Sequence, residues 1–169
     1  MTEACEARGL SRRRGVAFSS RRYVAQVVEV SATANSVNVE RVVCAFDCGR
    51  AINPNSIVAQ GEGSILFGFS AALFGEITLK DGRVEQSNFD TFPVVQLKHC
   101  PAIEIRILET PEAPIGGVGE PMTGMIAPAV TNAIFDATGR RIRKLPIVAS
   151  GLAITSHRGG SDRGLTQSV

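Results

Sequence analysis

Tryptophan is absent from this 169-residue chain and tyrosine occurs once, so apart from 8 phenylalanines the core must be filled by aliphatic side chains. No run of roughly 18 apolar residues is present, which excludes a membrane-spanning helix. No apolar stretch follows Met1, so the N-terminus does not read as a secretory signal. Arg12-Arg13-Arg14 superficially matches a twin-arginine signal, but the following GVAFSSRRYV returns to arginine too soon. The cysteines, Cys5, Cys44, Cys48 and Cys100, include no CxxC pair, and His99 and His157 lie far apart. That spacing argues against a zinc site, and no metal ligands are assigned. A disulfide framework is not expected at this size. Free thiols in a reducing, cytoplasmic compartment are expected instead, although a longer relative could be exported.

Several chemistries are missing too. No Gly-Lys-Ser/Thr follows a glycine run, so there is no P-loop. Gly61-Glu62-Gly63 is followed by Leu66 where the dinucleotide fingerprint needs its last glycine. GxSxG is absent, and neither histidine sits near a credible nucleophile. Net charge is +2, too small to imply a nucleic-acid partner. Arg8, Arg12, Arg13, Arg14, Arg21 and Arg22 read as a solvated arm. Arg140, Arg141, Arg143 and Lys144 read as a basic helix end favoured by the macrodipole.

What is present reads as an α+β domain. Residues 1–15 are expected to form a loose basic arm. Tyr23–Ala32 and Val37–Phe46 are rich in β-branched residues and flank the turn signal Asn35-Ser36, which predicts a hairpin. Asp47-Cys48-Gly49 and Asn53-Pro54 break the chain. Ser56–Phe74 then carries Ile57, Val58, Ile65, Leu66, Phe69 and Leu73 at helical spacing, with Ser56 as a cap. Gly61, Gly63 and Gly68 are tolerable there if the helix is buried and something lies close against it. Gln60 and Glu62 are polar insertions that would need partners. Glu76–Lys80, Asp81-Gly82 and Arg83–Asn88 predict a second hairpin. Ala102–Leu108 alternates Ile103, Ile105 and Ile107 with Glu104 and Arg106, a half-buried strand.

The most distinctive stretch is Ile115–Arg143, IGGVGEPMTGMIAPAVTNAIFDATGRRIR. Gly116, Gly117 and Gly119 surround Glu120. Such glycines suit a backbone bent for close approach, and a carboxylate there can serve as a general base in a dry pocket. Thr123 is expected to cap a first turn and Pro128 to open a second helix. Val130, Ile134, Phe135 and Ala137 are expected to face a core, with Gly139 as C-cap and Pro146 as the stop. Residues 16–148 form the expected domain, with antiparallel hairpins packed on two main helices, and 149–169 a disordered tail.

Three segments in order resemble one family. They are Asp47-Cys48-Gly49 with Asn53-Pro54, Ala59-Gln60-Gly61-Glu62-Gly63 opening an apolar run, and Gly117-Val118-Gly119-Glu120-Pro121 before APAVTNAIFDATGRR. The set is similar to the C-terminal part of the molybdopterin-binding large subunit of the xanthine dehydrogenase / aldehyde oxidase family, within it the isoquinoline 1-oxidoreductase beta-subunit type. The likeness runs from about Gly9 to Pro146.

The resemblance implies part of a second molybdopterin-binding domain. It implies a molybdenum cofactor carried by molybdopterin, often as the cytosine dinucleotide, which oxidises an N-heterocycle or aldehyde with water as the oxygen source. It implies Glu120 as general base, and Gln60 as a cofactor contact with Gly63 and Gly119 beside it. The partners implied are the remainder of the large subunit and a small iron–sulfur subunit. Gly61 and Ser64 depart from the family's pattern. The chain alone is expected to be inactive; the alternative is a non-catalytic remnant that binds no cofactor.

Overall fold

The computed structural model describes residues 11–19 and 23–155, with side chains from residue 23 onward. Strands β1 (Ser11–Ser19), β2 (Val24–Ala32) and β3 (Ser36–Asp47) form an antiparallel meander. The β2–β3 hairpin matches the alternation of valines. Val24, Val28, Val30, Val42, Cys44 and Phe46 point to one fully buried face, as period-2 strands require. The register shifts between Glu29 and Val30, leaving Glu40 as the extra residue of a bulge.

Helix α1 (Pro54–Leu73) and a short hairpin, β4 (Leu79–Lys80) with β5 (Arg83–Val84), follow. Asp81 and Gly82 both take positive φ in its turn, as a type I′ hairpin demands. Strand β6 (Ala102–Leu108) returns beside β3 but runs parallel to it. The sheet is therefore mixed, with α1 within the crossover. Arg41 pairs with Glu104 across this junction, and Arg106 pairs with it along β6. Helix α2 (Thr123–Thr138) packs across β1 and β2, and α1 packs on α2 and β6. Ile65, Phe69 and Leu73 of α1 meet Ile126, Val130 and Ile134 of α2 in one core. The α+β class is as expected.

Several local expectations are corrected. Residues 11–15, placed in the loose arm, lie in β1; residues 1–10 fall outside the described part. Ile147–Ser150 forms a 3-10 turn and β7 (Ala153–Ile154) pairs with the start of β3, so the order runs past 149; residues 156–169 fall outside the described part. Asn53, not Ser56, caps α1, its side-chain oxygen accepting the Ser56 N–H at 3.1 Å. Thr123 makes no capping bond, and Pro128 lies inside a single helix. Pro128 and Gly124 are both exposed, so water can reach the carbonyl that the proline leaves unbonded. Gly139 takes the left-handed C-cap, φ 71°. Phe135 is half out of the core, with Arg141 stacked 3.6 Å from its ring centre. Arg140 bonds the Ser150 carbonyl, so part of the basic cluster is spent inside the fold.

Candidate functional site

The parallel pairing of β3 and β6 builds the site. Asp47 and Leu108 are the last register pair, so the two strands end together. The chain leaving β3 runs into α1 and the chain leaving β6 runs into the glycine loop before α2. Such carboxyl-end crevices of parallel strands are where ligands commonly bind. The two segments converge on one open cavity of about 540 Å3, lined by Gln60, Gly63, Ser64, Phe67, Gly119, Glu120 and Thr123 among others. Gln60 and Glu120, distant in sequence, thus share one wall.

The cavity has bare backbone on two sides. A Cβ built on Gly63 would meet nothing within 4 Å, and one on Gly119 would lie 3.6 Å from the Gln60 side-chain oxygen. The Gln60 carboxamide, with a donor and an acceptor, makes no hydrogen bond among the described residues. Helix α2 starts beside the cavity without a side-chain cap, the Thr123 N–H donating to the Glu120 carbonyl at 3.0 Å, and such a helix end favours negative charge.

Below the cavity the residues are fixed. Gln26, wholly buried on β2, donates its amide N–H to the Met122 carbonyl at 2.8 Å. The Ser64 and Thr123 hydroxyls bond at 2.8 Å, tying α1 to the start of α2. Gly61 lies under Met122 and Ile105, where a Cβ would sit 2.8 Å from the Met122 sulfur. A larger residue at 61 would have to push aside the ends of the Ile105 and Met122 side chains. Opposite Gln26 in register, burial pushes the Cys44 thiol up to about 11, with the Gln26 amide pulling the other way.

All four residues singled out from the sequence, Glu120, Gln60, Gly63 and Gly119, line this cavity. The dry pocket expected around Glu120 is not formed by the described residues: Gln60, Glu62, Gly119 and Glu120 are all exposed. Gln60 and Glu62, read as insertions into a buried element, sit on the outer side of α1. Gln26, Ser64 and Thr123 were not recognised as supports. The detectable signal was Gln26 itself, an amide at an inward position of an otherwise valine-rich strand.

An apolar strip runs on from the cavity. Gly63 and Phe67 also line a second cavity of about 350 Å3 with Leu66, Phe92 and Val95. Phe92 continues into a third, beside Ile77 and Phe89. Phe67 is 73% exposed and Phe89 75%, an unusual amount of aromatic surface to leave in water.

The α+β domain thus opens a glycine-lined cavity that carries one amide and one carboxylate. The sequence matches the molybdopterin cofactor-binding domain family over residues 8–101, more than half of its length, and the chain belongs to that family. It is 36% identical over 137 residues to the beta subunit of isoquinoline 1-oxidoreductase of Brevundimonas diminuta, covering 79% of this chain and 17% of that one. It is 34% identical over 126 residues to a membrane-bound aldehyde dehydrogenase (pyrroloquinoline-quinone) of Gluconacetobacter polyoxogenes, covering 75% and 16%. The crystal structure of quinoline 2-oxidoreductase from Pseudomonas putida 86 superposes with a TM-score of 0.66 at 27% identity, covering 78% of this chain and 18% of that one. The chain therefore spans about a sixth of the length of these relatives. Among the described residues, no helix is long and apolar enough to cross a membrane.

Proposed function

We propose that this chain is a component of a molybdenum hydroxylase that oxidises an N-heterocycle or an aldehyde. The observation that carries the reading is the convergence of Gln60 and Glu120 on one glycine-lined cavity. The residues present suit the edge of a pterin, whose ring presents alternating donors and acceptors. Gln60 would bind that edge through its amide, and the absence of side chains at Gly63 and Gly119 would let it approach. The uncapped start of α2 suits an anionic group, such as the phosphate of a molybdopterin in its cytosine dinucleotide form.

A molybdenum–molybdopterin centre, when bound, supplies the two-electron acceptor. The overall reaction breaks a C–H bond, forms a C–O bond to oxygen from water, and releases two electrons and two protons. Glu120 would take a proton from the oxygen nucleophile as general base. The electrons would pass to a small iron–sulfur subunit. The remainder of the large subunit would close the open side of the cavity and dry it, so this chain alone would be inactive. A cytoplasmic setting would keep Cys44, Cys48 and Cys100 as the thiols they are here.

The test is molybdenum and pterin content, measured on the chain alone and after co-expression with the rest of a large subunit. Metal bound only in the assembly, with turnover abolished by Glu120→Gln at unchanged metal content, is the expected result. No molybdenum in either preparation makes the chain a non-catalytic remnant and ends the proposal.

A further inference from the structure

The motif Asp47-Cys48-Gly49 takes no part in the chemistry above, yet it touches the loop that carries Glu120. Asp47 ends β3, and one carboxylate oxygen accepts the Gly49 N–H at 2.8 Å. The other accepts the Thr110 hydroxyl from the segment just beyond β6. Gly49 has φ +82°, and a Cβ there would lie 2.8 Å from the Pro114 carbonyl and 3.1 Å from that of Ala113. Only glycine fits both the left-handed backbone and the close approach. The Cys48 carbonyl accepts the Gly116 N–H at 2.8 Å. The turn therefore grips the chain from Thr110 to Gly116, and Glu120 follows four residues on.

Beyond Glu120 the chain is held again, by Gln26 on the Met122 carbonyl and Ser64 on the Thr123 hydroxyl. Glu120 thus sits on a short exposed span between two anchored ends. Within the span only Val118 packs against the core, between Gly117 and Gly119, so the rest of its hold comes from its ends.

We propose that Asp47 is a positioning residue: it clasps Thr110 and shapes the Gly49 turn so that the Gly116–Glu120 span, and with it the Glu120 carboxylate, is held against the Gln60 wall of the cavity. This rests on Glu120 being the base, but the clasp can be measured without any cofactor.

The experiment is amide hydrogen exchange on the full chain, comparing Asp47→Ala, Asp47→Asn and Thr110→Val. Thr110→Val keeps the side-chain volume and removes only the donor, so it serves where Asp47→Ala fails to fold. Exchange at Gly116 should rise by about tenfold or more in Asp47→Ala and Thr110→Val, as expected for a local opening. Amides in β2, whose ladder lies outside the clasp, should not change. Asp47→Asn should restore part of the protection, because its side-chain oxygen can still accept the Gly49 N–H. Unchanged Gly116 exchange in Thr110→Val, or acceleration spread equally over the strands, overturns the proposal. Molybdenum content of the assembled protein tests the chemistry separately, so either can fail alone.

Discussion

The Gln60 side-chain oxygen lies 3.6 Å from where a Cβ would stand on Gly119, so the helix after β3 and the loop after β6 face each other across the cavity with room for one added carbon. Neither segment forms this site by itself. Gln60 depends on α1 being seated by Ile65 and Phe69, and Gly119 depends on the chain entering α2 with Met122 buried beneath it.

Gly119→Val should leave the fold intact and block the site. The contact distance leaves a first carbon room, Gly119 is exposed, and surface changes of this kind stay within about 0.5 kcal/mol. The branched side chain would nevertheless occupy the space beside Gln60. Thermal denaturation should be little changed, while molybdenum content of the co-expressed assembly should fall. Normal metal loading in the variant would place the cofactor elsewhere.

Glycines of the same helix should respond in opposite directions. Gly63→Ala meets nothing within 4 Å, so only the helix propensity of alanine counts, a gain of up to about 1 kcal/mol. Gly68→Ala drives its Cβ into the Thr123 carbonyl and the Ile126 side chain. Rigid backbone cannot give way cheaply, so a loss of about 1–3 kcal/mol is expected. Urea denaturation midpoints of the two variants check the signs. Equal midpoints would mean that α1 and α2 do not pack as closely as described.

The elements that read correctly from sequence are those whose signal is local. Valine alternation gave β2 and β3, Asp81-Gly82 gave the tight hairpin, and Gly139 marked the end of α2. What was not legible depends on distant partners. Ser11–Ser19 reads as an arginine-rich arm until β2 offers it an edge, since strand formation is set by context. The parallel approach of β6 to β3 leaves no trace in either strand. The site divides the same way. Its lining residues stand out as motifs, but Gln26 to Met122 and Ser64 to Thr123 join positions 96 and 59 residues apart, and no pattern in the chain foretells them.

Acid should weaken the chain at two identifiable carboxylates. The Thr110 hydroxyl, then the Gly49 N–H, hold the Asp47 carboxyl below its usual range. Hydrogen bonds from Arg41 and Arg106 do the same for Glu104. A depressed folded value means that the unfolded state binds protons first as pH falls. Each contribution is therefore complete above the ordinary carboxylate value of about 4 and is lost as pH drops through the lower folded one. Both groups are solvent-accessible, so the effect is modest and screened by salt. Denaturation midpoints from neutral pH into the acid range should fall less steeply in Glu104→Gln and Asp47→Ala than in the parent. Parallel curves would show that neither carboxylate is linked to folding.

The strip from Phe67 through Phe92 to Phe89 should make the isolated chain sticky. These rings are continuous with the cavity wall, because Phe67 lines two adjoining cavities and Phe92 joins the second to the third. On the proposed function, a large-subunit remainder that completes the cavity would pass over the same ground, and burying an exposed phenylalanine there stabilises contact by about 1.5–3 kcal/mol. Without that cover, the chain should bind a hydrophobic dye and elute ahead of its monomer position on size exclusion. Phe67→Ser with Phe89→Ser should reduce both effects and leave the denaturation midpoint nearly unchanged, since neither ring supports the core. The same pair should weaken recovery of the chain with its co-expressed remainder. Undiminished recovery would mean that the remainder reaches the cavity from the Glu120 side, leaving the aromatic strip outside the assembly interface.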